Sequence, residues 1–354
     1  MTMSANFVST QTLATSLVLP VQRAQAQLAT ASTEESTGQY ADLGLQLGDQ
    51  SGYELSLKEQ VGLLQALTSG NSLIGTGLST AQSALTSIAS TAQTTLQNLA
   101  AWTPAGNSGA SLQTMGQSAL AGLISSGNAA SGGSYVFGGI NSSVAPLADY
   151  FSTPTSAAKT AVDQAFQSAF GVLPTDPAAS AISASEIQSF LSGPFAALFS
   201  GTSWASDWSS ASSTNTSAEI APGQTVTTSM NANDSSFQAL AQAYTMLAEF
   251  GGSQLSSAAQ QAVASASASL IATGQSALTN AQAALGATQS AVSDANDTMS
   301  RQLTIVQKQV DGLDNVDQTA TAAEISSLTN QIQMAYELTA RLQQLNLAQY
   351  LPVT

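Results

Sequence analysis

At 354 residues the chain has room for about two or three domains, yet only 8% of its residues are charged, against roughly 25% in ordinary domains. Its 6 basic and 21 acidic residues give a net charge of −15, and it contains neither cysteine nor histidine. Such a balance excludes neutralisation of a phosphate backbone, and so nucleic-acid binding, while the missing residue types exclude thiol, imidazole and ordinary zinc chemistry.

No apolar run reaches the roughly 18 residues that cross a bilayer, so membrane insertion is not expected. Leu13 to Val21, followed by Ala24-Gln25-Ala26, has the outline of a signal peptide. The residues before it hold no Lys or Arg, however, and Arg23 falls where a cleavage region is uncharged, so no cleaved signal is expected. Ala14, Leu17, Val21, Ala24, Leu28 and Ala31 alternate spacings of three and four, a heptad-like pattern. Pro20 should kink that helix or mark its restart. A seam so rich in Ala gains little stability before it meets a partner. Residues 33–53, with Gly38, Gly44, Gly48 and Gly52, read as a connector.

A second, long helix is predicted from about Tyr53 to Ala101. Ile74, Leu78, Ala81, Leu85, Ile88, Ala92, Thr95 and Leu99 alternate four and three without a break, and Leu57, Val61 and Leu64 extend the pattern. Gly70, Gly75 and Gly77 weaken its middle. The stretch from Pro104 to Gly109 ends it, and Leu112, Met115, Ala119 and Leu123 mark a shorter third helix. From Gly132 to Gly139 the character changes to strand and turn. The middle of the chain, 140–233, holds most of the prolines together with Trp204 and Trp208. Short helices are expected at 156–171 and 183–199 and a strand over 218–232, which makes an α+β insert whose removal should leave the rest folded.

Asp234 is a good N-cap for a helix carrying Phe237, Leu240, Tyr244 and Leu247. Beyond it Ile271, Leu278, Leu285, Val292, Met299, Val306 and Leu313 stand seven residues apart, one straight apolar seam on a helix roughly 65 Å long. So narrow a seam is buried only by other long helices, and the helix at 53–101 is its natural partner. Gly312 and the polar segment Asp311–Gln318 end the ladder. A last helix bears Ile325, Leu328, Ile332, Ala335, Leu338, Leu342 and Leu345, followed by Tyr350-Leu351-Pro352, and should pair with the first as a coiled coil. The fold class expected is therefore mainly α, a coiled-coil or helical-bundle rod made from the two halves of the chain with a central α+β insert.

Chemistry is scarce. Asp311, Asp314 and Asp317 lack the spacing of a calcium loop and read as charge and capping at a helix–helix turn. No serine has an evident base, and the glycine-rich 132–139 stretch lacks the Lys-Ser/Thr ending of a phosphate loop. No catalytic, cofactor-binding or metal residue is expected, no cofactor, and no enzyme.

Several motifs resemble the flagellin family. Glu35-Ser36-Thr37-Gly38-Gln39-Tyr40-Ala41-Asp42 looks like the segment after the first helix in hook-associated members. Gly133-Ser134-Tyr135-Val136-Phe137-Gly138-Gly139-Ile140-Asn141 is similar to their Gly-x-Tyr-apolar-Phe-small-Gly turn. The stretch Trp204 to Trp208, then Ala232-Asn233 and Phe237 to Gly252, and the ending Tyr336-Glu337-Leu338-Thr339-Ala340-Arg341 through Tyr350-Leu351, match in the same way. One departure stands out: Tyr40-Ala41-Asp42-Leu43-Gly44 replaces the usual Arg-Ile and Ser-Asp-Asp-Pro signature, which keeps filament flagellin open as an alternative.

The resemblance implies an extracellular structural protein of the bacterial flagellum, used in motility and exported unfolded through the flagellar type III pathway. Within the family it is closest to the subunits that join hook to filament. Its partners would be copies of itself, neighbouring hook-associated and flagellin subunits, and an export chaperone. The division implied is a terminal coiled-coil domain lining the inner tube (1–45 and 317–354), a long-helix rod (46–139 and 234–316) and an outward-facing insert (140–233). A rival of another class, a type III-secreted translocator or effector, would want a membrane-inserting hydrophobic hairpin that the sequence lacks.

Overall fold

The computed structural model describes residues 10–348 except 105, 107 and 253, with side chains described from Val18 to Arg341. The Tyr350-Leu351-Pro352 ending, and the side chains of Ala14, Leu17, Leu342 and Leu345, lie outside the described residues. The chain divides into two compact units. One combines the residues up to Leu63 with those from Arg301 onward, and the other is Leu64–Ser300. The elements in order are α1 (Thr10–Thr37), α2 (Leu43–Leu47), α3 (Ser51–Ala101) and α4 (Gly109–Gly127), then the strands β1 (Ala130–Ser131) and β2 (Ser134–Tyr135). The short helices α5 (Ala157–Phe170), α6 (Ala184–Ser192), α7 (Pro194–Ala197) and α8 (Gly201–Ser203) follow, with a π-helical turn at Trp204–Trp208. After β3 (Ser217–Ala221) and β4 (Gln224–Thr227) come α9 (Ser235–Phe250), α10 (Ser257–Asp314) and α11 (Gln318–Ala348).

In the Leu64–Ser300 unit, α3 and α10 run antiparallel. Asn71 donates to Asn296 Oδ1 at 2.8 Å, Gln282 to Thr86 at 3.3 Å and Gln275 to Gln93 at 3.2 Å, so the partner number falls as the first rises. The heptad seam faces inward as its spacing requires: Ile271, Leu278, Leu285 and Val292 are buried with Leu78, Leu85, Ile88 and Ala92. None of the glycines at 70, 75 and 77 interrupts α3, because the apolar partner face continues on either side of them. A buried polar contact sits within this seam. The Asn71 amide also donates to the Ile220 carbonyl at 2.7 Å and so ties the β3–β4 hairpin to the helix pair.

Helix α9 lies at the centre of the unit. Asp234 caps it, accepting from the Ser236 N–H at 2.9 Å, and Phe237, Leu240, Tyr244, Leu247 and Phe250 are all buried. It packs against α4 so closely that a Cβ at Gly116 would fall 2.3 Å from the Ala248 nitrogen. On another side an aromatic cluster closes over it. Phe166 stacks on Phe250 at 5.3 Å, Phe195 meets Phe250 edge-on at 5.4 Å, and Trp208 stacks between Tyr150 and Trp204. Tyr150 donates to Glu249 at 2.9 Å, and Lys159 bridges Glu249 at 3.0 Å and Asp163 at 3.1 Å.

Two expectations change here. The hydrophobic core runs unbroken from α9 into residues 140–233, so that stretch covers aromatic surface of its neighbours instead of standing on them as a removable insert. The strand expected over 218–232 is a two-stranded hairpin, β3 paired with β4, because Pro222-Gly223 turns the chain, Gly223 at φ +76°.

In the other unit, α1 runs on to Thr37 and continues as helix through Pro20, and the connector shrinks to about 38–50. Helix α10 reaches Asp314 through Gly312, past the point where the ladder was expected to stop. The ladder's Val306 is buried with Leu57 and Val310, while Leu313 is only half-buried beside them.

Candidate assembly site

The unit made from the two ends of the chain holds the least self-sufficient apolar surface. Its α1 and α11 pack antiparallel, and Gln25 donates to the Tyr336 hydroxyl at 2.7 Å. Burial along this pair follows the predicted seam and then fades. Close to the connectors Ala31 is 2% exposed, and Ala24, Thr321 and Leu328 are buried. Val21, Leu28, Ile325, Ile332 and Ala335 are half-buried. Farther along, Val18, Leu19, Met334, Tyr336 and Leu338 are exposed. Two helices alone leave much of each other's circumference wet, and small Ala side chains cover little of it. The seam positions were legible as a three–four alternation, whereas Met334 and Tyr336 fall outside that alternation and carry no such signal.

The roots of the two helices are fixed by short-range bonds. Gln39 and Asn315 form an antiparallel bridge, the Tyr40 N–H donates to the Asp314 carbonyl at 3.0 Å, and the Val316 N–H donates to the Gly38 carbonyl at 3.0 Å. Asp317 caps α11, accepting from the N–H groups of Thr319 at 2.9 Å and Ala320 at 3.2 Å, as its position predicts. Asp42 caps α2 in the same way. Asp314 does something the sequence did not disclose. Its side chain is 3% exposed and pairs with Lys58 at 2.8 Å, and Lys58 also pairs with Glu54. The hydrogen bond to Asp314, then that to Glu54, raises the Lys58 ammonium above its ordinary value. Asp311 is not part of this group; it accepts from Gln307 one helical turn away. Nearby, Leu45, Tyr53, Leu55, Leu63 and Ile305 add further exposed apolar side chains to the same unit.

The Tyr135-Val136-Phe137-Gly138-Gly139 stretch has a structural task in the Leu64–Ser300 unit. Gly132 and Gly133, at φ +58° and +84°, make the two-residue turn of the β1–β2 hairpin. Phe137 is fully buried and meets Phe237 edge-on at 5.2 Å. Gly139 takes φ +61°, and a Cβ there would fall 2.6 Å from the carbonyl oxygens of Ser212 and Thr214. The turn thus holds the backbone of 210–214: Asn141 donates to the Ser210 carbonyl at 2.7 Å, the Ser212 N–H to the Gly138 carbonyl at 3.0 Å and the Ile140 N–H to the Thr214 carbonyl at 3.0 Å.

Among the described residues no helix is long and apolar enough to cross a membrane, and no group of three or more acidic side chains is placed to hold a metal ion. Residues 8–142 match the bacterial flagellin N-terminal helical region, and residues 268–351 match the bacterial flagellin C-terminal helical region. No curated protein matches the chain, and no solved structure does.

Proposed function

Because the chain belongs to the flagellin family, whose members are structural proteins of the extracellular flagellum and not enzymes, we propose that it is the subunit joining hook to filament. The observation that carries an assembling role is the open seam of α1 and α11, which gains burial only against further helices. The junction role rests on the resemblance of the Tyr135-Val136-Phe137-Gly138-Gly139 turn and the Tyr350-Leu351 ending to hook-associated members. In this reading 1–45 and 317–354 line the inner tube, 46–139 and 234–316 form the rod, and 140–233 faces outward. Neighbouring copies, hook-associated subunits and flagellin cover the terminal helices, and an export chaperone covers them before secretion through the flagellar type III pathway.

A deletion strain tests this. It should keep its hooks, carry no attached filament and release flagellin monomers into the medium. Hooks that still bear normal filaments built of another flagellin would sink the junction role and favour a minor filament subunit.

A further inference from the structure

The charges of the terminal helix pair are sorted by level. No residue is charged between Arg23 and Glu34 on α1, nor between Glu324 and Glu337 on α11. The Gln25–Tyr336 hydrogen bond joins the two helices, which run antiparallel, and Arg23 and Arg341 both fall on the same side of it. At 1.5 Å per residue the two cations stand about 3 and 8 Å past that contact, one on each helix. On its other side, toward the connectors, Glu34, Glu35 and Glu324 stand roughly 14–18 Å away. Glu337 is the one acid near the cations, so that level carries a positive excess while the level of Glu34, Glu35 and Glu324 is wholly negative.

These cations are not used inside the chain. Lys58 and Lys159 pair with carboxylates of their own chain, whereas Arg23 and Arg341 are exposed and pair with no carboxylate among the described residues. Glu324 is likewise exposed and without an ion pair, while the half-buried Glu34 accepts from the Ala41 N–H at 3.0 Å. Around the cationic level Val18, Leu19, Met334, Tyr336 and Leu338 are exposed. Surface ion pairs add little affinity, but setting like charges together is costly, so sorted charges select a register that apolar burial alone leaves open.

We propose that Arg341 of one copy pairs with Glu324 of a second copy, whose terminal helix pair lies alongside the first, staggered by about 26 Å along the axis. The inference rests on the reading of the chain as a self-assembling subunit and names the charges that set its register. A second copy is the occupant because the complementary charge sits on this same helix pair. One stagger brings the cationic level of each copy to the acidic level of the next, with Arg23 toward Glu34 and Glu35. A neighbour without the stagger would set Glu34, Glu35 and Glu324 against their own counterparts, in a chain whose net charge is already −15. Arg341 and Glu324 point about 100° apart around α11 at 3.6 residues per turn. The contact therefore joins two different faces, is heterologous, and propagates from copy to copy around a curved array.

The test expresses full-length variants in the deletion strain. Arg341→Glu and Glu324→Arg should each be secreted into the medium with parental helical circular dichroism and leave the hooks without attached filaments. The double reversal should restore the filaments. Both residues lie on α11 about 26 Å apart, so such a rescue runs only between copies. Because the chain has no cysteine, an Arg341→Cys, Glu324→Cys double variant gives an independent readout. A bis-maleimide shorter than that separation should link it into a ladder of dimers, trimers and longer chains in isolated flagella, and should link neither single variant. A single reversal that retains filaments overturns the Arg341–Glu324 contact and leaves the subunit reading intact. The same holds if the double reversal fails to restore filaments and the double cysteine variant gives no ladder, the result expected of a partner other than a second copy. A deletion strain that keeps its filaments overturns both.

Discussion

Truncating Leu285 to alanine is the most direct probe of the ladder. Leu285 is 4% exposed, in the middle of α10, and belongs to the same buried cluster as Leu78, Ala81, Ala84 and Leu85 of α3. The substitution removes three carbons, worth about 2.4 kcal/mol at 0.8 kcal/mol per buried methylene. The alanines opposite cannot extend to fill the space, and two long helices held by seams on either side cannot close in locally, so a cavity term adds to the loss. We expect a total of about 2.5–4 kcal/mol. For a unit of this size that corresponds to a fall of about 5–16 °C in the unfolding midpoint. Thermal unfolding followed by helical circular dichroism measures it, with Leu73→Ala as the exposed control. A Leu285→Ala shift no larger than the control would show that the ladder is not a packed seam and would refute the antiparallel pairing of α3 and α10.

Lys58→Met should destabilise the unit made from the chain ends by about 3 kcal/mol, because it strands the buried Asp314 carboxylate, whereas a Lys58→Met, Asp314→Leu double variant should recover most of the loss in urea unfolding. Stability should also fall at alkaline pH. Burial opposes the Lys159 charge, but the hydrogen bonds and charges of Glu249 and Asp163 outweigh it, and both Lys159 and Lys58 are raised from 10.5. Their contribution is complete below that value and is lost as pH rises through the raised ones. Tyr150, pushed up by burial and then by Glu249, adds a loss above its ordinary value of 10 because only the unfolded chain ionises there. Urea midpoints that stay constant from about pH 9 to 12 would contradict these assignments. Replacing 140–233 with a Gly/Ser linker should uncover Phe250 and the α9 face beneath the aromatic cluster and abolish cooperative unfolding of the Leu64–Ser300 unit; a sharp transition in that variant would restore the removable-insert view.

Much of the site was legible in outline and not in its chemistry. Asp317 announced itself as a cap and Ala24, Ala31 and Leu328 as seam residues, because capping and amphipathicity are properties of a few consecutive residues. Lys58 with Asp314, and Lys159 with Glu249, were invisible because their partners lie far along the chain and nothing in either local sequence names the other. Arg23 and Arg341 looked like scattered cations; only the antiparallel pairing of α1 and α11 sets them at one level.

Local periodicity by itself determined that α3 and α10 are long helices and which of their faces turn inward, since a side chain's face depends only on its spacing from its neighbours. The start of α9 at Asp234 and the hairpin turn at Gly132-Gly133 were equally local. Tertiary structure alone decided the register that sets Asn71 against Asn296, the wrapping of 140–233 around Phe250, and the extension of α1 past residues that read as a connector. Each of those depends on which distant surface arrives to be buried, and the free energy of that burial belongs to pairs of segments, not to either segment alone.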